Sequence, residues 1–249
     1  MHGLLHRREY MGPGVAVSSA NQVVERHQGD CVLMAWDERV SSEWFDPCNV
    51  ALQAVPVANG GRGSAWYVSL MGQPGVLRHF RRGGLIARVI RDLYVWTGAP
   101  RARSLREFET LANLHAKGLK VPRPVAAMAC RSCFKGLLYK AAIITERIDG
   151  ARSLSEIRDA QVWFEAGKTI GQMHRLGVWH ADLNVHNLQV DRDGEVWIID
   201  FDRARNQIVS PSRLRGNLRR LERSVMKVCP ELRDKCWPLL LFGYGQTTV

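Results

Sequence analysis

His180-Ala-Asp-Leu-Asn-Val-His-Asn187, then Leu188-Gln-Val-Asp-Arg-Asp-Gly-Glu-Val-Trp-Ile-Ile199, then Asp200-Phe-Asp202 is the stretch that decides how this chain folds. Asp182 is followed five residues later by Asn187, and Asp200 stands thirteen residues beyond Asn187. A carboxylate can take the proton of an attacking hydroxyl. An amide oxygen and a second carboxylate can hold a divalent cation against phosphates. The spacing has a structural meaning too. Leu188 to Val190 and Glu195 to Ile199 read as two short strands, with Asp193-Gly194 as the turn between them, because glycine tolerates positive φ. Such a hairpin returns Asp200 to the side of Asn187.

These residue types in this order are those of a kinase-like phosphotransferase. Asp182 is then the catalytic base, and Asn187 and Asp200 are the metal ligands for Mg²⁺ bound with ATP. His180 reads as structural, bonding backbone near Asp200 and orienting the loop. His186 is a candidate for touching substrate or phosphate, and Asp202 for a salt bridge with a nearby arginine.

The expected fold is α+β and two-lobed: an N-terminal antiparallel sheet lobe with one long helix, then a short, mainly helical C-terminal lobe. Residues 1–50 read as an N-terminal extension of uncertain fold, 51–148 as the ATP-binding lobe and 149–249 as the catalytic lobe. In the first lobe, Asn59-Gly-Gly-Arg-Gly63 precedes a strand-like run, Trp66 to Leu70. Backbone N–H groups around Gly61 and Gly63 would cover nucleotide phosphates. Gln73-Pro74-Gly75 reads as the following turn, and Val76 to Phe80 as the next strand. Arg78 stands there where such folds commonly carry a lysine, and its planar fork still binds phosphate bidentately.

A helix is expected from Ser104 to the stop at Gly118, with Leu105, Phe108, Leu111, Ala112 and Leu114 or His115 on one face. Glu107 pairs with Arg78 in this reading, with Glu109 as the other candidate. The plainer alternative is a capping box between Ser104 and Glu107. Ala141 to Ile148 reads as a buried strand leading into a connector, whose end, at Glu146 and Ile148, offers backbone groups to adenine. A second helix spans roughly Val162 to Leu176. Residues 212–228 form a basic helix with Leu214, Leu218, Leu221 and Val225 as its apolar stripe and its arginines mostly solvated.

The 249 residues carry a formal net charge of +11. That surplus implies an anionic partner: nucleic acid, a phosphorylated substrate or an anionic membrane. No nucleic-acid-binding motif accompanies it, so nucleic acid is not expected. No run of about 18 apolar residues spans a membrane, and no apolar segment follows the basic N-terminus as in a signal peptide. The six cysteines read as free thiols with no disulfide partner, and Cys130-Arg-Ser-Cys133 alone is weak ground for zinc.

With Gly-Gly-Arg-Gly-Ser-Ala-Trp-Tyr, Val-Leu-Arg-His-Phe-Arg-Arg-Gly-Gly-Leu, Val-Pro-Arg-Pro-Val-Ala, Asp-Leu-Asn-Val-His-Asn and Ile-Ile-Asp-Phe-Asp-Arg in hand, the chain resembles the kinases of 3-deoxy-D-manno-octulosonic acid (Kdo). The resemblance runs from about Gly60 to Cys229. It implies ATP-dependent phosphorylation of the 4-hydroxyl of a Kdo attached to lipid IVA, in lipopolysaccharide core assembly. It also implies peripheral association with the cytoplasmic face of a Gram-negative inner membrane. Related heptose kinases and aminoglycoside-type phosphotransferases are the enzyme alternatives. A pseudokinase binding module is the non-enzymatic one, and intact Asp182, Asn187 and Asp200 argue against it.

Overall fold

The computed structural model describes residues 5–9, 22–57, 64–81, 93–132, 136–202, 204–206 and 210–247. Gly61 and Gly63 lie outside them. The chain forms two compact units, Met1–Asn113 with Arg123–Arg147, and Leu114–Pro122 with Ile148–Val249.

The first unit is built on a nine-stranded antiparallel sheet. Its strands are β1 (Leu5–Glu9), β2 (Gln22–Gln28), β3 (Cys31–Ala35), β4 (Val55–Pro56), β5 (Ala65–Leu70), β6 (Gln73–His79), β7 (Tyr94–Val95), β8 (Pro124–Ser132) and β9 (Leu138–Glu146). They run in the order β1-β2-β3-β8-β9-β6-β5-β4, with β7 also on β9. Residues 22–57 therefore do not stand apart as an extension. β3 pairs with β8 from Cys31↔Cys130 to Ala35↔Ala126. Val40, Phe45 and Leu52 join Leu33, Val68, Leu77, Ala142 and Ile144 in one core. Burying a side chain such as Phe45 contributes about 2–3 kcal/mol, and Trp44 packs partly against the same core. The Trp36 indole donates to the Pro124 carbonyl at 2.7 Å.

Two local readings change. The β5–β6 turn is Met71-Gly72, both at positive φ (51° and 78°), with Leu70 opposite Gln73. The right-handed twist of a hairpin favours this two-residue turn. Gln73 to Gly75 therefore lie inside β6. Pro74, which has no N–H to donate, accepts from Arg147 N through its carbonyl. The second change concerns the cysteines. Cys31 and Cys130 are joined as a disulfide across 99 residues, so not all six are free thiols. A cross-strand partner set by sheet register leaves no trace in sequence spacing. Cys48, Cys229 and Cys236 are free, and Cys133 lies outside the described residues.

Helix α1 (Arg103–Ala116) buries Leu105, Phe108, Leu111, Ala112 and Leu114, while His115 is exposed. The Ser104 hydroxyl donates to the Met128 carbonyl at 2.7 Å, fastening the helix start to β8 instead of forming a cap.

The second unit holds α2 (Ala160–Arg175), α3 (Pro211–Val228) and α4 (Arg233–Thr247). Its short strands are β10 (Arg152–Ser153), β11 (Val178–Trp179), β12 (Leu188–Val190), β13 (Val196–Ile198) and β14 (Arg205–Asn206). Asp159 caps α2 through Gln161 N. Helices α2 and α4 touch through glycine. A Cβ on Gly167 would sit 1.9 Å from the Leu240 carbonyl oxygen, and one on Gly243 would sit 2.0 Å from that of Phe164. Both are far inside van der Waals contact, so no side chain fits at either position.

His174 of α2 is buried between the Tyr244 hydroxyl (3.0 Å) and the Asn217 amide oxygen (3.2 Å). Burial pushes its pKa from 6.5 down to about 4, so the folded protein keeps it neutral. The unfolded chain binds this proton and the folded one does not. Stability is therefore complete above about pH 6.5 and falls as pH drops toward 4. We expect a loss of about 2–3 kcal/mol from this residue by pH 4.5, at about 1.4 kcal/mol per pKa unit. Denaturant melts at pH 7 and 4.5 check it, and His174→Gln should flatten the dependence.

Candidate active site

The β12–β13 hairpin forms as the spacing predicts, with Leu188 opposite Ile198 and Val190 opposite Val196. Asp191 organises its turn. One carboxylate oxygen accepts from Asp193 N and Glu195 N at 3.0 and 2.9 Å, and the other accepts from the Trp197 indole at 2.7 Å. The Asn187 carbonyl accepts from Ile199 N at 3.0 Å. The hairpin thus brings the residue before Asp200 back to Asn187. Asp200 itself adopts φ +65°, a left-handed conformation uncommon outside glycine and concentrated at functional sites.

His180 completes the junction. Its ring is buried, with Nε2 3.0 Å from the Ile199 carbonyl and Nδ1 accepting from Asp182 N at 3.2 Å. That pattern fixes the tautomer with the proton on Nε2. Burial lowers its pKa, with the Ile199 hydrogen bond acting against that shift. Both polar groups of Ile199 are therefore held by the loop that carries Asp182.

Within that loop the Asp182 carbonyl accepts two amides, from Asn184 Nδ2 and Asn187 Nδ2, each at 2.9 Å. Asn184 Oδ1 in turn accepts from His186 N and Asn187 N. The backbone of Asp182 is fixed while its carboxylate is exposed. Asn187 is buried, and its side-chain oxygen is not needed for the contact with Asp182. His186 is exposed, with Nδ1 3.3 Å from the Ser153 hydroxyl. Asp202 is half-buried, and Arg203 lies outside the described residues.

Three supporting residues on α3 were not singled out from the sequence. Asn217 is buried and clasps both backbone groups of His180: Nδ2 donates to the carbonyl at 2.7 Å, and Oδ1 accepts the N–H at 3.2 Å. The Ser224 hydroxyl accepts from Val185 N at 3.1 Å. Arg220 Nη1 donates to Asp182 Oδ1 at 2.8 Å, so this arginine is not merely part of a solvated face. The available signal was a polar Asn217 interrupting the Leu214, Leu218, Leu221 stripe.

In the first unit, Arg78 Nη2 donates to both oxygens of Glu107, at 2.6 and 2.5 Å. Glu107 is 2% exposed, and the guanidinium lies 4.6 Å from the Phe80 ring centroid. Glu146 ends β9 with its side chain exposed and its N–H on the Arg123 carbonyl at 2.8 Å. Ile148, half-buried, opens the second stretch of the other unit.

Residues 49–244 match the model of the lipopolysaccharide kinase (Kdo/WaaP) family. The chain belongs to that family. A 3-deoxy-D-manno-octulosonic acid kinase of Stenotrophomonas maltophilia (strain R551-3) is 43% identical over 194 residues, covering 76% of this chain and 77% of that protein. One from Xanthomonas campestris pv. campestris (strain B100) is 44% identical over 190 residues, covering 74% of each. One from Xylella fastidiosa (strain M23) is 39% identical over 223 residues, covering 84% of this chain and 87% of its own. This family member is a phosphotransferase acting on a hydroxyl group, and its α+β fold with an antiparallel sheet is the expected kinase-like one.

Arg78→Ala removes the guanidinium that binds both oxygens of the buried Glu107 carboxylate. We expect a destabilisation of about 3–5 kcal/mol, as for other broken buried pairs. The Arg78→Ala/Glu107→Ala double variant should cost less than the two singles added, because each single already breaks the contact that the two side chains share. Denaturant melts of the four proteins measure the coupling, and strictly additive losses would refute it.

Proposed function

We propose that the chain transfers the γ-phosphoryl group of ATP to the 4-hydroxyl of a Kdo residue on Kdo-lipid IVA, in lipopolysaccharide core assembly. The observation that carries this reading is Asp182: an exposed carboxylate on a backbone fixed by His180, Asn184 and Asn187, in a chain of the lipopolysaccharide kinase family. The curated relatives are themselves named kinases of this sugar acid.

The residues divide the work between them. Asp182 accepts the proton of the attacking hydroxyl as the O–P bond forms and the bond from the γ-phosphorus to the leaving oxygen of ADP breaks. Asn187 and Asp200 offer an amide oxygen and a carboxylate, the hard oxygen donors that Mg²⁺ prefers. Such an ion would neutralise charge on the phosphates. Among the described residues no group of three or more His, Cys, Asp or Glu side chains could hold a metal. Mg²⁺ does not require one, since it commonly takes one or two carboxylates plus substrate phosphates and water. Arg78, held by Glu107, is assigned to the nucleotide phosphates, with Gly61 and Gly63 covering them. The ends of the Glu146–Ile148 connector are assigned to adenine.

The enzyme is assigned to the cytoplasmic face of the inner membrane as a peripheral protein. Among the described residues no helix is long and apolar enough to cross a membrane. The net charge of +11 suits an anionic surface. Phe45 is in the core and Trp36 and Trp44 are half-buried, which favours basic residues over those aromatics as the contact.

Incubation with labelled ATP, Mg²⁺ and Kdo-lipid IVA should yield a singly phosphorylated product, with ³¹P–¹H NMR locating the phosphate at the 4-position. Asp182→Asn should lower kcat by about 10²–10⁴-fold, the usual scale for a general base, while Mg-ATP still binds. Turnover within tenfold of wild type would remove Asp182 from this role.

Asp200→Asn should lose Mg²⁺-dependent ATP binding by calorimetry; unchanged affinity would overturn the metal assignment. Binding to anionic vesicles should fall steeply with salt, since screening acts over about 10 Å at 0.1 M, and neutral vesicles should bind little. Equal, salt-insensitive binding to both would point to an apolar anchor.

A further inference from the structure

The catalytic loop, His180-Ala-Asp-Leu-Asn-Val-His-Asn187, contains no lysine or arginine. Asn184, two residues after Asp182, is engaged in holding the loop's own backbone. The cation at Asp182 comes from α3 instead. Asn217, Arg220 and Ser224 are spaced i, i+3 and i+7, one face of a helix, and they meet His180, Asp182 and Val185 in the same order along the loop. The two backbone contacts bracket Arg220 and fix where its guanidinium reaches.

Arg220 and Asp182 are half exposed, at 48% and 60% of their side-chain surface. At that exposure an ion pair adds little stability, about 0–1 kcal/mol. Stability therefore gives a weak reason for an arginine at this carboxylate. Its chemistry gives a better one. A guanidinium presents five N–H donors in a rigid fork that matches a carboxylate bidentately. The contact with Asp182 uses Nη1 and Oδ1. Among the described residues no hydrogen bond reaches Asp182 Oδ2, and none other leaves the Arg220 fork. Arg219 and Arg223 are exposed on the same helix, adding positive potential.

We propose that Arg220 is an acceptor-binding residue: its guanidinium holds the carboxylate of an acidic-sugar acceptor and so delivers the sugar hydroxyl to Asp182 Oδ2. One edge of the fork stays on Asp182 Oδ1 and the other takes the acceptor carboxylate. Base and acceptor are thereby registered to one side chain that α3 fixes. This inference rests on the proposed acceptor being a sugar acid, and it adds the residue that selects for the acid group.

The test compares wild type, Arg220→Gln and Arg220→Lys on Kdo-lipid IVA and on the same acceptor with its sugar carboxylate converted to the methyl ester. Arg220→Gln should raise KM for the acid by about tenfold to a hundredfold, the scale of a lost charge-assisted hydrogen bond. KM for ATP should stay within twofold. Wild type should lose a similar factor on going from acid to ester. Arg220→Gln should handle both acceptors alike, and Arg220→Lys should fall between.

An equal fall in kcat on acid and ester, with KM unchanged, would overturn the proposal in favour of mere positioning of Asp182. A raised KM for ATP would overturn it in favour of a donor-phosphate contact. If Arg220→Gln fails to fold, wild type alone decides: discrimination of acid from ester supports the proposal, and indifference overturns it. If wild type phosphorylates neither acceptor, the proposed function itself falls. Turnover of both acceptors without discrimination sinks only the role of Arg220.

Discussion

The second unit depends on one buried side chain, the amide of Asn217. Placing an unsatisfied amide in a core costs several kcal/mol, yet here both ends of the group are engaged. Its nitrogen donates to the His180 carbonyl, and its oxygen accepts from His180 N and from the ring of His174. His174 is held in turn by Tyr244. Helices α2, α3 and α4 therefore all converge on His180, the residue that joins the Asp182 loop to the backbone before Asp200. The neutral state of His174 follows from this arrangement. A proton on both nitrogens would leave the Tyr244 hydroxyl facing a donor where it now meets an acceptor.

The candidate motif was legible because residue type and spacing share one signal, and the hairpin that the spacing required is present. Asp182, Asn187 and Asp200 need particular atoms, and the intervening residues had to form a hairpin of that length. Local periodicity gave α1, α2 and α3 within a few residues of their observed bounds. Glu107 was legible as a partner for Arg78 because a kinase-like lobe pairs a helix glutamate with its phosphate-binding cation, and the structure chooses it over Glu109 and over the capping box with Ser104.

What the sequence hid was non-local. Strand β3 carries no sign that it pairs with β8, which follows after most of the first unit, and β2 joins the sheet only through β3. Cys130 looked toward Cys133 by spacing and toward Cys31 by register. The Met71-Gly72 turn was masked by the stronger turn signal just after it. On α3 the abundance of arginine concealed that Arg220 differs from its neighbours. Composition identifies a basic face, and only the rise of the helix against the loop selects the one guanidinium that reaches Asp182.

The glycine contact between α2 and α4 bears on how the protein is made. At Gly167 and Gly243 each helix rests on the other's backbone, so neither surface is finished alone. Helix α4 follows every residue of the catalytic motif in the chain. During synthesis the motif is complete well before the helix that covers α2 has left the ribosome, and the uncovered face presents Phe164 and His174, which meet Phe242 and Tyr244 of α4 once folded. A product truncated before Arg233 would carry Asp182, Asn187 and Asp200 in full and still lack the Tyr244 hydroxyl that holds His174 beside Asn217. For this protein, an intact motif marks a finished second unit only where α4 is present too.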